Sequence, residues 1–170
     1  EHFLLFYPNE LVQGINKNEK VKIKFEIDIM PPGLATYETK FRLSPTPYSV
    51  RLYDEASLFS GKIHAVICRS WKSRVKGRDL YDYVFYLSRN TKFNLPHLRE
   101  KLIDSEYIST DTEITCDSVK EMLINRFNEI DYNAAKEDVI PFIKDASVLN
   151  LWSKEFFISI TSGLNVNSNM

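Results

Sequence analysis

From Lys62 to Arg78 the chain carries six cations, Lys62, Arg69, Lys72, Arg74, Lys76 and Arg78, with no acid among them. Asp79 and Asp82 follow at once. Lys62 and Arg69 are seven residues apart, two helical turns, so on a helix they leave from the same side. Asp79, Asp82, Tyr83 and Tyr86 share one face of a following helix at spacings of three, four and seven. Two antiparallel helices joined by a short connector would bring Lys62 near Asp79. A lysine held by a carboxylate and facing a pocket neutralises a phosphate as a compact charge. The same residues would serve equally as an ion pair stapling a helical hairpin. Lys72, Arg74 and Lys76, with Trp71 interleaved, have the chemistry to follow an RNA backbone and stack on a base, or to form a solvated turn.

Other groups offer weaker chemistry. Glu26 and Asp28 stand two apart in an alternating stretch, so on a strand both carboxylates leave the same face. They then either hold a divalent cation through hard oxygen ligands or line a solvated face. Asp28 followed by Glu38-Thr39-Lys40 also matches the acid and E-x-K layout of metal-dependent nucleases, in which acids bind metal and a lysine positions water. That layout leaves the 62–82 stretch without a role. His2, His64 and His97 lack metal-ligand spacing. There is no G-x-S-x-G, P-loop or paired-cysteine motif.

The elements that would position these residues are an α+β set: a small antiparallel sheet followed by a mostly helical region. Val21–Met30 alternates, with Val21, Ile23, Phe25, Ile27 and Ile29 on one face, which predicts a half-buried strand ended by Pro31-Pro32-Gly33. Tyr37–Leu43 and Tyr48–Tyr53 alternate as well, so three strands are expected. A helix capped by Asp54 or Ser57 should run to about Trp71, with Gly77 breaking the connector that follows. Further helices are expected from Arg78 to Ser88, from Pro96 to Ile103, after an Asp117 cap, and over Asp131–Ile143 with Pro141 interrupting. A last one should begin at Ser147 and close near Gly163. The expected organisation is a β-rich part over 1–53, a helical hairpin carrying the Lys/Asp pattern over 54–104 and a C-terminal helical region over 105–170.

Bulk properties narrow the class. A chain of 170 residues with 44% hydrophobic and 26% charged residues has the composition of a globular domain. Its net charge of −1 gives no global nucleic-acid signature, so a polyanion site must be a local patch. Cys68 and Cys116 are far apart, which fits a reduced intracellular chain better than a disulfide framework. No apolar run approaches the roughly 18 residues of a membrane span. The opening EHFLLFYPNE has no basic segment of a signal peptide and no initiating Met. A cytoplasmic protein is expected, with an N-terminal part of the parent preceding these residues.

The stretch from Phe25 to Asn90 resembles the AbiEii/AbiGii family of nucleotidyltransferase toxins. The specific part is a GK-x-x-A…R…K-x-RD-x-Y-D pattern, met as Gly61-Lys62, Ala65, Arg69, Lys76, Arg78-Asp79, Tyr81 and Asp82. The PP-G turn, the P-x-P-Y-S-V strand and the distal KEDVIPFIKD…LWSKEFF are similar too. The resemblance implies a fold related to DNA polymerase beta-like nucleotidyltransferases. It also implies a role as toxin of a type IV toxin–antitoxin or abortive-infection system, with a cognate antitoxin as partner. The implied reaction is transfer of a nucleotide from an NTP, with magnesium, to an RNA 3′ end such as that of tRNA. Residue by residue, it implies Lys62 as the phosphate-contacting lysine, with Arg69 and Lys76 beside it. Asp79 is implied as the aspartate needed for activity, either as base or as the group orienting Lys62. Asp28, with Glu26, falls near the third metal-binding acid; Lys72, Arg74 and Lys76 stand as candidate RNA contacts on the chemistry of the basic run itself. Family enzymes also carry an upstream Gly-Ser or Gly-Gly turn and an Asp-x-Asp pair, and neither occurs before Val21. The expectation is therefore a C-terminal part that is inactive alone. The alternative is a catalytically dead module that binds RNA or a partner.

Overall fold

A computed structural model describes residues 26–69 and 75–167. The chain forms two compact units, Glu1–Pro31 and Pro32–Met170. In the first, residues 26–31 are exposed and irregular. The strand expected over Val21–Met30 is absent from 26–30, and Val21–Phe25 lies outside the described residues. The alternation is present, but a local bond competes with a ladder: Asp28 accepts a hydrogen bond from the Met30 amide at 3.0 Å. Such aspartate turns divert the backbone from pairing, and the prolines that follow cannot donate to a ladder.

The second unit begins with the hairpin β1 (Tyr37–Arg42) and β2 (Tyr48–Tyr53), antiparallel with Tyr37 opposite Tyr53 and Arg42 opposite Tyr48. Two strands rather than three are thus found among the described residues. Six α-helices follow among the described residues: α1 (Glu55–Cys68), α2 (Gly77–Ser88), α3 (Leu95–Asp104), α4 (Cys116–Phe127), α5 (Tyr132–Val139) and α6 (Lys154–Thr161). None of the described helices is long and apolar enough to cross a membrane.

Capping chemistry sets the helix starts. The Asp54 side chain accepts from the Ser57 amide, Asn94 from His97 and Asp131 from Asn133 and Ala134. In α4 the cap is Thr115, reciprocated by Ser118, rather than the expected Asp117, which sits in the first turn. A hydroxyl capping box satisfies two orphan groups at once, leaving Asp117 beside the positive helix end. Pro141 ends α5, and the chain tightens into a 3-10 turn over Ile140–Phe142. The last helix starts later than expected: Ala146–Leu149 is a second 3-10 turn, and Ser153 caps α6.

Helical periodicity builds the core. Phe59, Ile63 and Val66 on α1, Leu98 and Leu102 on α3, and Val119, Leu123 and Phe127 on α4 are all fully buried. Their spacings of three and four put each set on one helix face. A chain of rings crosses between the helices, from Phe59 to Tyr83 at 6.0 Å, to Phe127 at 5.6 Å and to Phe157 at 5.2 Å. Each such side chain contributes roughly 1.5–3 kcal/mol of burial, so this seam fixes how α1, α2, α4 and α6 sit together. The Tyr83 hydroxyl finds Thr161 at 2.9 Å, so Tyr83 belongs to the core and not to the polar face expected for it.

Candidate active site between the first two helices

The packing of α2 creates the site. Gly77 is its first residue, and a Cβ there would lie 1.9 Å from the Ala135 carbonyl oxygen and 2.8 Å from Val139. Only glycine lets the start of α2 come this close to α5. The contact lays the 3-10 turn after α5 along one side of the α1–α2 hairpin. The result is a cleft of about 520 Å³, lined by Lys62, Arg69, Lys76, Arg78, Asp79, Tyr81 and Asp82, with Val139, Phe142 and Ile143 as an apolar wall.

Two ion pairs cross between the helices like rungs. Arg69, the C-cap of α1, donates from Nη1 to both Asp79 oxygens at 2.8 and 2.7 Å. Lys62 Nζ lies 2.7 Å from Asp82 Oδ2. The expected proximity of Lys62 to Asp79 is met in that both line the cleft, but the lysine's salt-bridge partner is Asp82. In an antiparallel hairpin the residue nearest the connector, Arg69, meets the first acid of α2, and the residue two turns back meets the second.

The rungs differ in solvation. The Asp79 side chain is 7% exposed and that of Arg69 53%, whereas Lys62 and Asp82 are 39% and 36% exposed. Burial pushes the Asp79 carboxyl above its ordinary value, opposed by the Arg69 guanidinium and by Lys62. The cleft thus holds one dry carboxylate inclined to take a proton and one wetter lysine at its mouth.

Arg78, which sequence reasoning gave no role, also lines the cleft. Its guanidinium lies 4.8 Å from the Phe142 ring centre and its Nε 3.9 Å from the buried Asp138 carboxylate. Four cations line the cleft with two carboxylates, and Asp138 behind Arg78 is a third; the remaining excess of positive charge suits an anionic ligand. The first turn of α2 adds to it, because its N-cap, Lys76, supplies no side-chain capping bond and helix N-termini favour negative charge.

The other candidates divide. Lys76 lines the cleft; Lys72 and Arg74 lie outside the described residues. Glu26 and Asp28 are exposed residues of the first unit and are not on a strand. Glu38 and Lys40, of the nuclease layout, pair with each other at 2.8 Å on β1. His64 faces α3, its Nε2 3.0 Å from the Ser105 hydroxyl, and the His97 Nδ1 lies 2.7 Å from the Gly33 carbonyl oxygen. Both act as packing links.

Among the described residues there is no group of three or more His, Cys, Asp or Glu side chains placed to hold a metal ion. The two cleft carboxylates are each committed to a cation. The cleft as described does not fit a magnesium centre of its own.

A family model for the nucleotidyl transferase AbiEii toxin of type IV toxin–antitoxin systems matches residues 1–157. Comparisons with curated proteins and with solved structures returned no match.

Proposed function

The chain belongs to the AbiEii family of nucleotidyl transferase toxins of type IV toxin–antitoxin systems, and on that premise we propose that the parent protein transfers a nucleotide from an NTP to an RNA 3′ end, with tRNA as the acceptor. The observation that carries this reading is the cleft itself. It joins Lys62, Arg69, Lys76 and Asp79 in one cavity.

In this reading Lys62, paired with Asp82, neutralises the nucleotide phosphates as a point charge. Lys76 and the first turn of α2 extend the anion site. The acceptor 3′-hydroxyl oxygen forms a bond to the α-phosphorus as the bond to pyrophosphate breaks. Asp79 takes the hydroxyl proton, its raised affinity for protons suiting a general base, and Arg69 holds the carboxylate in place. Lys72 and Arg74 with Lys76 continue the basic surface along the RNA.

The family implies magnesium, and Glu26 and Asp28 remain this chain's candidates for holding it. The 170 residues contain no Gly-Ser turn followed by Asp-x-Asp. The proposal assigns the main metal-holding carboxylates to the rest of the parent and expects these residues alone to bind without transferring. The protein would act in the cytoplasm, where NTPs, tRNA and a cognate antitoxin are available.

The test is extension of labelled tRNA by the parent protein with magnesium and each NTP. Lengthening that disappears in Lys62→Ala and in Asp79→Asn supports the assignment. Normal extension by the Lys62→Ala protein would remove that residue from the site. If no NTP is added under any condition, the reading gives way to a module that only binds RNA or a partner.

A further inference from the structure

A smaller hollow of about 210 Å³ adjoins the cleft and is lined by Tyr81, Val84, Phe85, Ser88, Val148 and Trp152. Tyr81 belongs to both walls. The four α2 residues recur at spacings of three and four, so they form one stripe along that helix. Val148, on the 3-10 turn Ala146–Leu149, and Trp152 close the far side. Tyr81 and Phe85 remain 40% and 47% exposed. Two aromatic side chains are thus kept in water at the edge of a cation-rich cleft.

We propose that this groove receives a nucleobase of the single-stranded RNA acceptor while the adjoining phosphates lie among the cations of the cleft. The proposal rests on the reading of the cleft given above and names the acceptor's subsite. Continuity through Tyr81 fits a nucleotide, which joins a flat apolar base to an anionic backbone. The groove's own chemistry favours stacking over reading of base edges. Its polar side-chain groups are two hydroxyls and the Trp152 indole N–H, and the Ser88 hydroxyl already donates to the Phe85 carbonyl at 2.8 Å. Selecting an NTP base needs several placed donors and acceptors, whereas sequence-tolerant stacking on aromatic rings is how proteins hold single-stranded nucleic acid. The Arg89 guanidinium, 5.3 Å from the Phe85 ring centre, adds a second planar surface at the rim.

The experiment measures binding of three probes to the 170-residue chain: a labelled tetraribonucleotide, its abasic counterpart and a labelled NTP. Phe85→Ala should weaken the tetraribonucleotide about tenfold, the scale of one lost base–aromatic stack, and leave the other two within about twofold. Phe85→Leu, which keeps apolar bulk but not the π face, should weaken it as well; wild-type binding by Phe85→Leu contradicts stacking. Equal weakening of the abasic probe, or selective loss of the NTP, overturns the groove assignment while leaving the cleft reading intact. Conversely, if Lys62→Ala leaves every probe unchanged while Phe85→Ala discriminates between them, the groove stands and the cleft reading falls. If none of the probes binds the wild-type chain, both fall.

Discussion

One nitrogen of Arg69, Nη1, donates to both carboxylate oxygens of Asp79 across the α1–α2 hairpin, at 2.8 and 2.7 Å. The acid is nearly dry and the base half in water, so the two partners are not equivalent. Removing Arg69 strands a buried charge, while removing the Asp79 charge frees a guanidinium that water can solvate. Arg69→Ala should therefore cost about 2–3 kcal/mol and Asp79→Asn about 1 kcal/mol or less, measured by denaturant unfolding. The ranking on activity should reverse, with Asp79→Asn the more damaging.

The two glycines within the motif stretch, Gly61 and Gly77, should behave oppositely. Gly77→Ala drives a Cβ into the Ala135 backbone, which a flexible side chain cannot relieve, and should destabilise by at least about 1–3 kcal/mol. Gly61 lies inside α1, and its added Cβ would meet only the end of Lys101 at 3.9 Å. Gly61→Ala should stabilise by up to about 1 kcal/mol through helix propensity. Thermal unfolding of the two variants checks the pair.

Arg126 is expected to support the site from behind. It reaches from α4 to the end of α1, donating to the Val66 carbonyl at 3.2 Å and the Arg69 carbonyl at 2.6 Å. Cations at a helix C-terminus satisfy orphan carbonyls and the dipole together. Arg126→Ala should loosen the backbone of Arg69, seen as faster amide exchange in the last turn of α1, and should lower kcat more than it raises KM.

Acid should weaken the fold partly through His64. Burial lowers its pKa to about 4 from 6.5, with Lys101 adding to the effect. Between those values the unfolded chain holds a proton that the folded chain lacks, so stability falls as pH drops through this window and levels off below it. His97, also lowered by burial, acts with the same sign, and Asp79, raised by burial, acts with the opposite one. A His64→Gln variant should therefore show a shallower loss of Tm between about pH 6.5 and 4 than the wild type. An unchanged slope would contradict this role for His64.

Much of the helical part was legible in the sequence because its signals are local. The Asp54 cap, the start of the second helix beside Gly77 and the stop at Pro141 each depend on residues within a few positions. Two features were not legible, for different reasons. The alternation over Val21–Met30 carries no information about the competing Asp28 turn, so a strand pattern over 26–30 was not a strand. The pairing of Lys62 with Asp82 depends on hairpin register, because Asp79 and Asp82 share a face and either was available. The wall of Phe142 and Ile143 lies some sixty residues from Asp82 in sequence, and no local signal announces it. The clearest missed hint was Arg78, which sits beside Asp79 in the motif itself.

The central claim, that the α1–α2 cleft binds nucleotide phosphates through Lys62, is tested most directly by NTP affinity in two opposing variants. The Lys62–Asp82 pair is partly exposed, so neither substitution should change stability by more than about 1 kcal/mol, and both proteins remain folded for comparison. Lys62→Ala should weaken NTP binding at least tenfold. Asp82→Asn, which removes the lysine's counter-charge, should tighten it. Unchanged affinity in Lys62→Ala, or loss of affinity in Asp82→Asn, would contradict the account.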